Sequence, residues 1–387
     1  MKNKIPATAY LIGFVSLFSD VSTEMAYPLL PLFISEVLGA KPVLMGLIEG
    51  IAEATASAVK GFSGWISDWL GQRKKITVFG YGLTAFSKPI VAIATVWPTV
   101  LLGRFFDRLG KGIRSAPKDA LLADLVIPEE RGRIFGFERA MDSAGAVIGP
   151  LLALLLLYWG NLELRTLLFL TTIPAFISLL LISFIPEIKP TNRVKKSFRL
   201  KELSSNFWLF VAVNSLFEVG NSTNAFLLLK ARSTGMQEHL ILACYILYNF
   251  IYSAGSYPAG TISDKVGRKN VLIVGYVVFA LSYLGFAIVP ASTWTIFLLF
   301  ALYGIYPALT DGVGKALAAD SAEKELRATA IGIFSAFVGL SRLFASIVAG
   351  ILWDSYGSRA TFLYSVLTSV VATTVFAIFF KQKTSSS

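Results

Sequence analysis

The chain has one cysteine, Cys244, and one histidine, His239, in 387 residues. A single thiol forms no intramolecular disulfide, so a small secreted scaffold held by bridges is excluded. A tetrahedral zinc site draws on several Cys and His ligands, and one of each does not furnish it. Charge is scarce as well. Asp, Glu, Lys and Arg make up 15% of the chain, against about 25% in an average soluble domain. No Gly-x-x-x-x-Gly-Lys-[Ser/Thr] run occurs, and Gly-Lys-Gly at 110–112 is not such a loop. That argues against an ATP-driven pump. An enzyme would be left with carboxylates and hydroxyls alone. What is abundant is apolar surface: 55% hydrophobic residues and a mean hydropathy of +0.66. The fold class expected is an all-α integral membrane protein. The net charge of +11 stands against so oily a chain.

A bilayer-spanning helix needs about 20 mostly apolar residues. The sequence offers twelve such runs, the first over 8–35 and the last over 359–380. The first follows Met-Lys-Asn-Lys as a signal peptide would, yet it holds Asp20 and Glu24 and runs too long, so it reads as a retained helix. Loop Lys and Arg set the orientation. With the N-terminus cytoplasmic, twenty fall on the cytoplasmic side. Five (Lys41, Arg165, Lys230, Arg232 and Arg359) fall outside. Both termini are therefore expected in the cytoplasm, with the chain in the inner or plasma membrane. Most of the +11 is an orientation signal and not a nucleic-acid footprint.

The longest polar stretch, 187–203, is a basic linker. It divides the chain into six spans over 1–186 and six over 204–387. The halves resemble each other. GWISDWLGQRKK at 64–75 answers GTISDKVGRKNV at 260–271, and Asp124, Arg131 and Gly136 fall on Asp320, Arg327 and Gly332 at the same offset. Ordered matches at one offset indicate a duplicated unit. Both copies start on the same side, as in parallel repeats.

Twelve spans as six plus six, a basic central loop and a repeated Gly-x-x-x-Asp-x-x-Gly-x-[Arg/Lys] loop signature resemble the major facilitator superfamily (MFS) over nearly the whole chain. The signature stands as Gly64, Asp68, Gly71, Arg73 and Lys74, and again as Gly260, Asp264, Gly267, Arg268 and Lys269. The resemblance implies that Asp68 and Asp264 each face a helix N-terminus of the other half and hold a cytoplasmic gate. Such a contact gains about 0.3–1 kcal/mol. The plainer reading is that both aspartates cap turns while the cations set topology. The resemblance also implies that spans one, four, seven and ten line a central cavity.

Ionisable groups inside a membrane are costly and mark functional sites by default. On span four, Arg104, Asp107, Arg108, Lys111, Arg114 and Lys118 lie within about 120° at 100° per residue. This stripe is expected to face the cavity at Arg104 and Arg108; at the cytoplasmic end, Arg114 and Lys118 are expected to face headgroups or to pair with Asp119 and Asp124. Asp20 and Glu24 share a face of span one, and Glu49 and Glu53 share one of span two. Two carboxyls on one face suit proton coupling. The alternative is an ion pair, for example Asp20 with Arg104 or Arg108. Glu218 lies in span seven among Asn214, Asn221, Ser222 and Asn224.

On span five, Glu138, Arg139 and Asp142 are placed to pair with span four. Gly145-x-x-x-Gly149-Pro150 follows. This run is similar to the span-five motif of the family's drug/proton antiporters, though that motif's trailing glycines are absent. The alternative is ordinary helix packing through small residues. In the second half, Asp311 is expected to pair with Lys315, while Arg342 must find a partner or a substrate. Tyr245, Tyr248, Tyr252, Tyr257, Tyr303 and Tyr306 either line a cavity or pack.

The expected function is secondary active transport of a small solute by alternating access, driven by the proton gradient, with no cofactor and no metal. Proton-coupled export comes first, and proton-coupled uptake of a small organic anion is the alternative. The four arginines at 104, 108, 139 and 342 hint at an anionic or zwitterionic group. A non-transporting receptor is the rival outside this class. The expected partners are the solute and the lipid bilayer, no nucleic acid, and no second subunit.

Overall fold

The computed structural model describes residues 7–70, 72–124, 131–186, 203–288, 292–322 and 326–380, and all regular structure among them is helical. In the first half, α1 is Ala7–Ala26, α2 Pro42–Leu70, α3 Arg73–Ala92, α4 Trp97–Asp124 and α5 Arg131–Tyr158; α6 is Leu164–Leu170 and Thr172–Ser183. In the second half, α7 is Ser205–Glu218 resumed at Ala225–Ser233. It is followed by α8 Glu238–Val266, α9 Arg268–Ile288, α10 Thr293–Asp320, α11 Arg327–Tyr356 and α12 Ser358–Phe379. The twelve runs thus appear as twelve helices, three of them interrupted. Run one breaks after Ala26 at Tyr27–Pro28 and resumes as the short turn Leu29–Leu32 and the π-turn Phe33–Val37. The basic linker over 187–202 lies outside the described residues.

Among the described residues, eight helices are long and apolar enough to cross a membrane: α2, α5, α6 and α8 through α12. The other four are the charged or broken ones. α1 carries Asp20 and Glu24. α3 carries Arg73, Lys74, Lys75 and Lys88. α4 carries the cationic stripe, and α7 is interrupted over 219–224. A charged or broken span is tolerated where its polar groups are buried in protein or meet water, so the polar content of these four marks where chemistry can sit.

The chain forms two compact units. The first is 1–40 with 51–195, and the second is 41–50 with 196–387. This differs from the sequence division at the start of α2, whose first residues belong to the second unit. The reason is close packing. A Cβ at Gly46 would stand 2.1 Å from the Ser346 carbonyl oxygen, and one at Gly350 would stand 2.5 Å from the Val43 Cα.

In the first unit, α4 packs most extensively on α3, and α1 on α5. A shared core of Ala9, Ile12, Val15, Tyr81, Leu121, Leu122, Ile134 and Ile182 is almost fully buried. The α1–α5 seam depends on glycine. A Cβ at Gly145 would lie 2.6 Å from the Leu17 carbonyl oxygen and 2.9 Å from the Asp20 Cβ; one at Gly149 would lie 2.6 Å from the Val21 carbonyl oxygen. Gly145→Ala therefore forces two backbones apart. It is expected to cost about 1–3 kcal/mol, as overpacking does, read as a lowered melting temperature in detergent. An unchanged melting temperature would show that the seam relaxes freely.

In the second unit, the turns that close α8 and α11 fall on Gly267 (φ +91°) and Gly357 (φ +80°), a region that disfavours side chains. Trp159 and Trp294 are exposed at helix ends, as an interfacial aromatic belt requires.

Candidate functional site

The cationic stripe of α4 turns into the first unit. Asp107 is its centre, with Oδ2 accepting from Lys88 Nζ at 3.2 Å and from Arg104 Nη1 at 3.0 Å; all three side chains are at most 4% exposed. Arg104 is buried within the first unit, where it lines a small cavity together with residues of α1, α3 and α6. The triad itself lines this cavity, closed off by Ala26, Leu30, Ser87, Leu168 and Thr171. Next along α4, Arg108 Nη2 reaches Glu53 Oε1 at 3.2 Å. Glu53 is thus an ion-pair partner of α4, and Glu49, one turn earlier on α2, is fully buried.

Arg114 and Lys118 also turn inward and not to headgroups. Arg114 donates to Ser19 Oγ and Thr84 Oγ1, both at 2.7 Å, and lies 4.3 Å over the Tyr81 ring. Lys118 donates to Ser16 Oγ at 3.0 Å and pairs with Glu138. The expected α4–α5 ion pair therefore forms through Glu138. Arg139 is answered within its own helix, by Asp142 at 3.0 Å.

Asp20 does not pair with Arg104 or Arg108. Its carboxyl meets that of Asp142 across the α1–α5 seam, with Lys111 and Glu24 as the other charged neighbours. Asp142 faces Asp20, Lys118, Arg139 and Lys111. Gly145, one turn beyond Asp142, lets α1 approach closely at Asp20, 2.9 Å from a Cβ there to the Asp20 Cβ, and so brings the two carboxyls into one site. The span-five glycines thus act on a charge site as well as on packing.

The second unit holds a separate network. Glu218 ends the first segment of α7, 5% exposed, and accepts two bonds from Arg342 (Nε 2.7 Å, Nη2 3.2 Å). Arg342 thus has its partner. It also lies 3.8 Å from Asp311, whose Oδ2 accepts from the Tyr252 hydroxyl at 2.9 Å. Asp311 therefore takes Arg342 and Tyr252 in place of the expected Lys315, which is exposed. In the α7 break, Asn221 donates to Glu218 at 2.8 Å and to the Tyr306 hydroxyl at 2.7 Å. Asn224 accepts from Tyr303 at 2.7 Å and donates to Tyr248 at 3.1 Å. These bonds satisfy the side chains of an unwound segment that would otherwise be costly in a membrane. Of the six tyrosines singled out, Tyr257 is 84% exposed and belongs to no network.

The loop signatures divide by unit. In the first copy, the surroundings of Gly64, the side chain of Asp68 and all of Gly71 lie outside the described residues. Arg73 Nη1 donates to the Ala120 carbonyl at 3.4 Å, and Lys74 begins α3 beside it. In the second copy, Gly260 has open space around it, so it is not a close-approach glycine. Asp264 contacts Arg268 of its own loop at 3.6 Å, and Arg268 reaches Asp320 at 2.6 Å. Lys269 caps the end of α12 through the Ala377 and Phe380 carbonyls (2.8 and 2.6 Å).

Sequence reasoning did not single out Lys88 as a site member, and it left Tyr252 among six tyrosines that either line a cavity or pack. Lys88 was findable, being a lysine inside a span. Tyr252 was one tyrosine among many.

A profile of the Major Facilitator Superfamily matches residues 12–229 and again 207–387. The chain belongs to the major facilitator superfamily. It is a membrane transporter of small solutes and not an enzyme, and its two six-helix repeats are those of the MFS fold. A Methanocaldococcus jannaschii protein described as an uncharacterized MFS-type transporter is 34% identical over 377 residues, 95% of this chain and 94% of that one. A multidrug resistance protein MdtH from Photorhabdus laumondii is 31% identical over 150 residues, 39% of this chain and 37% of that protein. Among solved structures, the nucleoside transporter NupG aligns over 98% of this chain and 100% of its own, with TM-score 0.78 and 16% identity. A D-xylose–proton symporter aligns over 97% of each chain, with TM-score 0.75 and 18% identity. At those identities the likeness is one of fold.

Proposed function

We propose that this MFS transporter is a proton-coupled exporter of a small organic solute. In this reading it works as a monomer in the cell membrane, by alternating access, with both termini cytoplasmic. The observation that carries the coupling is the Asp20–Asp142 pair. One shared proton holds two carboxyl groups together. Without it they repel and turn to Lys111 and Arg139. Loading and unloading that proton changes the α1–α5 seam. That is the differential interaction a conformational switch needs. Export is favoured over uptake by the partial likeness to MdtH, named for multidrug resistance. The twenty-to-five distribution of loop cations supports the orientation. The loop signatures, with Asp68 and Asp264, serve as the cytoplasmic gate.

Inside-out membrane vesicles, acidified within by respiration, test the direction. An exporter there concentrates solutes from a mixture read by mass spectrometry, above vesicles lacking the protein. Accumulation confined to right-side-out vesicles would instead make the protein an uptake system.

A further inference from the structure

The arginine count that hinted at an anionic solute loses its force once partners are known. Arg104, Arg108, Arg139 and Arg342 each contact a carboxylate of their own unit. In the second unit the balance runs the other way, because Glu218 and Asp311 share the one guanidinium of Arg342. Arg342 commits its two-pronged contact to Glu218 and stands 3.8 Å from Asp311. Asp311 is 34% exposed, partway along a membrane-spanning helix. A carboxylate there is too costly against hydrocarbon, so this face meets water or a solute.

Beside it runs a ladder of rings. Tyr252, the donor to Asp311, stacks on Tyr248 at 6.3 Å between centroids, and Tyr248 stacks on Tyr303 at 5.3 Å. Asn224, in the α7 break, fixes the Tyr248 and Tyr303 hydroxyls. One turn before Tyr252, the buried Asn249 amide nitrogen has no hydrogen-bond partner among the described residues. A carboxylate with an incomplete counter-ion, next to the half-buried Tyr252 ring at the end of this stack, suits a cation with an apolar body. A carboxylate solute would have to take Arg342 from Glu218 and leave Glu218 buried without its charge partner.

We infer that the face formed by Asp311 and Tyr252, backed by the buried rings of Tyr248 and Tyr303, binds an organic cation, a protonated amine carrying an aromatic or aliphatic body, with Asp311 as its counter-ion. This rests on the transporter reading above and names the solute class. Neutral polar solutes lack the charge that Asp311 selects.

The test is binding to the detergent-purified full chain, read as a shift in melting temperature on titration with benzylammonium and, separately, benzoate. Benzylammonium is expected to stabilise the wild type saturably, and benzoate is not. Asp311→Asn should weaken benzylammonium at least tenfold, with Asp311→Glu recovering most of it. Tyr252→Phe, which keeps the ring and leaves the carboxylate, should weaken it by a few-fold and controls for misfolding of the aspartate variant. Stabilisation by benzoate alone, by neither probe, or by benzylammonium equally in Asp311→Asn overturns the inference. The vesicle assay for proton-driven export is independent of these titrations, so either claim can fail while the other stands.

Discussion

Asp107→Asn is expected to be the most destabilising single substitution in the first unit, at about 3–5 kcal/mol, the cost of removing one partner from a buried ion pair. Asp107 Oδ2 is the acceptor that Lys88 and Arg104 share, and all three side chains are at most 4% exposed. Asparagine keeps the shape and one acceptor oxygen but loses the charge, leaving two buried cations facing each other. Adding Lys88→Met to Asp107→Asn removes one of them and is expected to recover a large part of the loss. The measurement is thermal unfolding in detergent of wild type, single and double variants. A single variant that melts with the wild type would mean that Asp107 is not what stabilises the cluster. The energy lies in packing α3 against α4, so transport activity of the folded fraction should fall less than the yield of folded protein.

The second large effect is functional. Asp20→Asn and Asp142→Asn each keep a hydrogen-bonding group at the α1–α5 seam and remove the ability to gain and lose a proton. Each is expected to abolish solute accumulation driven by a pH gradient, a loss of at least a hundredfold in concentrative flux. Exchange of labelled for unlabelled solute at equal pH should stay within a few-fold of wild type, because exchange needs rocking but no net proton movement. Lys111 is the cation facing both carboxyls. Gradient-driven accumulation that survives in both variants would take the coupling away from this pair. Loss of exchange together with accumulation would assign the pair to folding or solute binding.

Some of this was readable in the sequence for definite physical reasons. A span is a composition over about 20 residues, and the two loop signatures are local strings, so the helix count and the duplication were legible without tertiary information. The six ionisable groups of α4 were correctly placed on one face, because helical periodicity is local too. Which neighbour that face meets is decided by packing. The stripe was expected to face a cavity and headgroups. At Arg114 and Lys118 it turns to acceptors on α1, α3 and α5. The Glu218–Arg342 pair spans 124 residues, and no local pattern links them. Asp311 and Lys315 illustrate the converse. An i,i+4 spacing offers an ion pair worth a few tenths of a kcal/mol, and contacts from α8 and α11 outweigh it.

The span-five glycines gain the most from having coordinates. As a motif they admitted two readings, an antiporter signature or ordinary packing. Their surroundings show the packing role directly, and the close approach that Gly145 permits also brings α1 up to the Asp20–Asp142 site.

The central claim is that solute movement and proton movement are linked in this transporter. It is tested most directly in proteoliposomes holding a pH-sensitive dye and an imposed pH gradient, with a solute mixture inside and out. Solute is predicted to concentrate on the acidic side, to do so on whichever side is made acidic, and to fall to equilibrium when nigericin collapses the gradient. Flux that only equilibrates the solute, unchanged by the size, sign or collapse of the gradient, would contradict it.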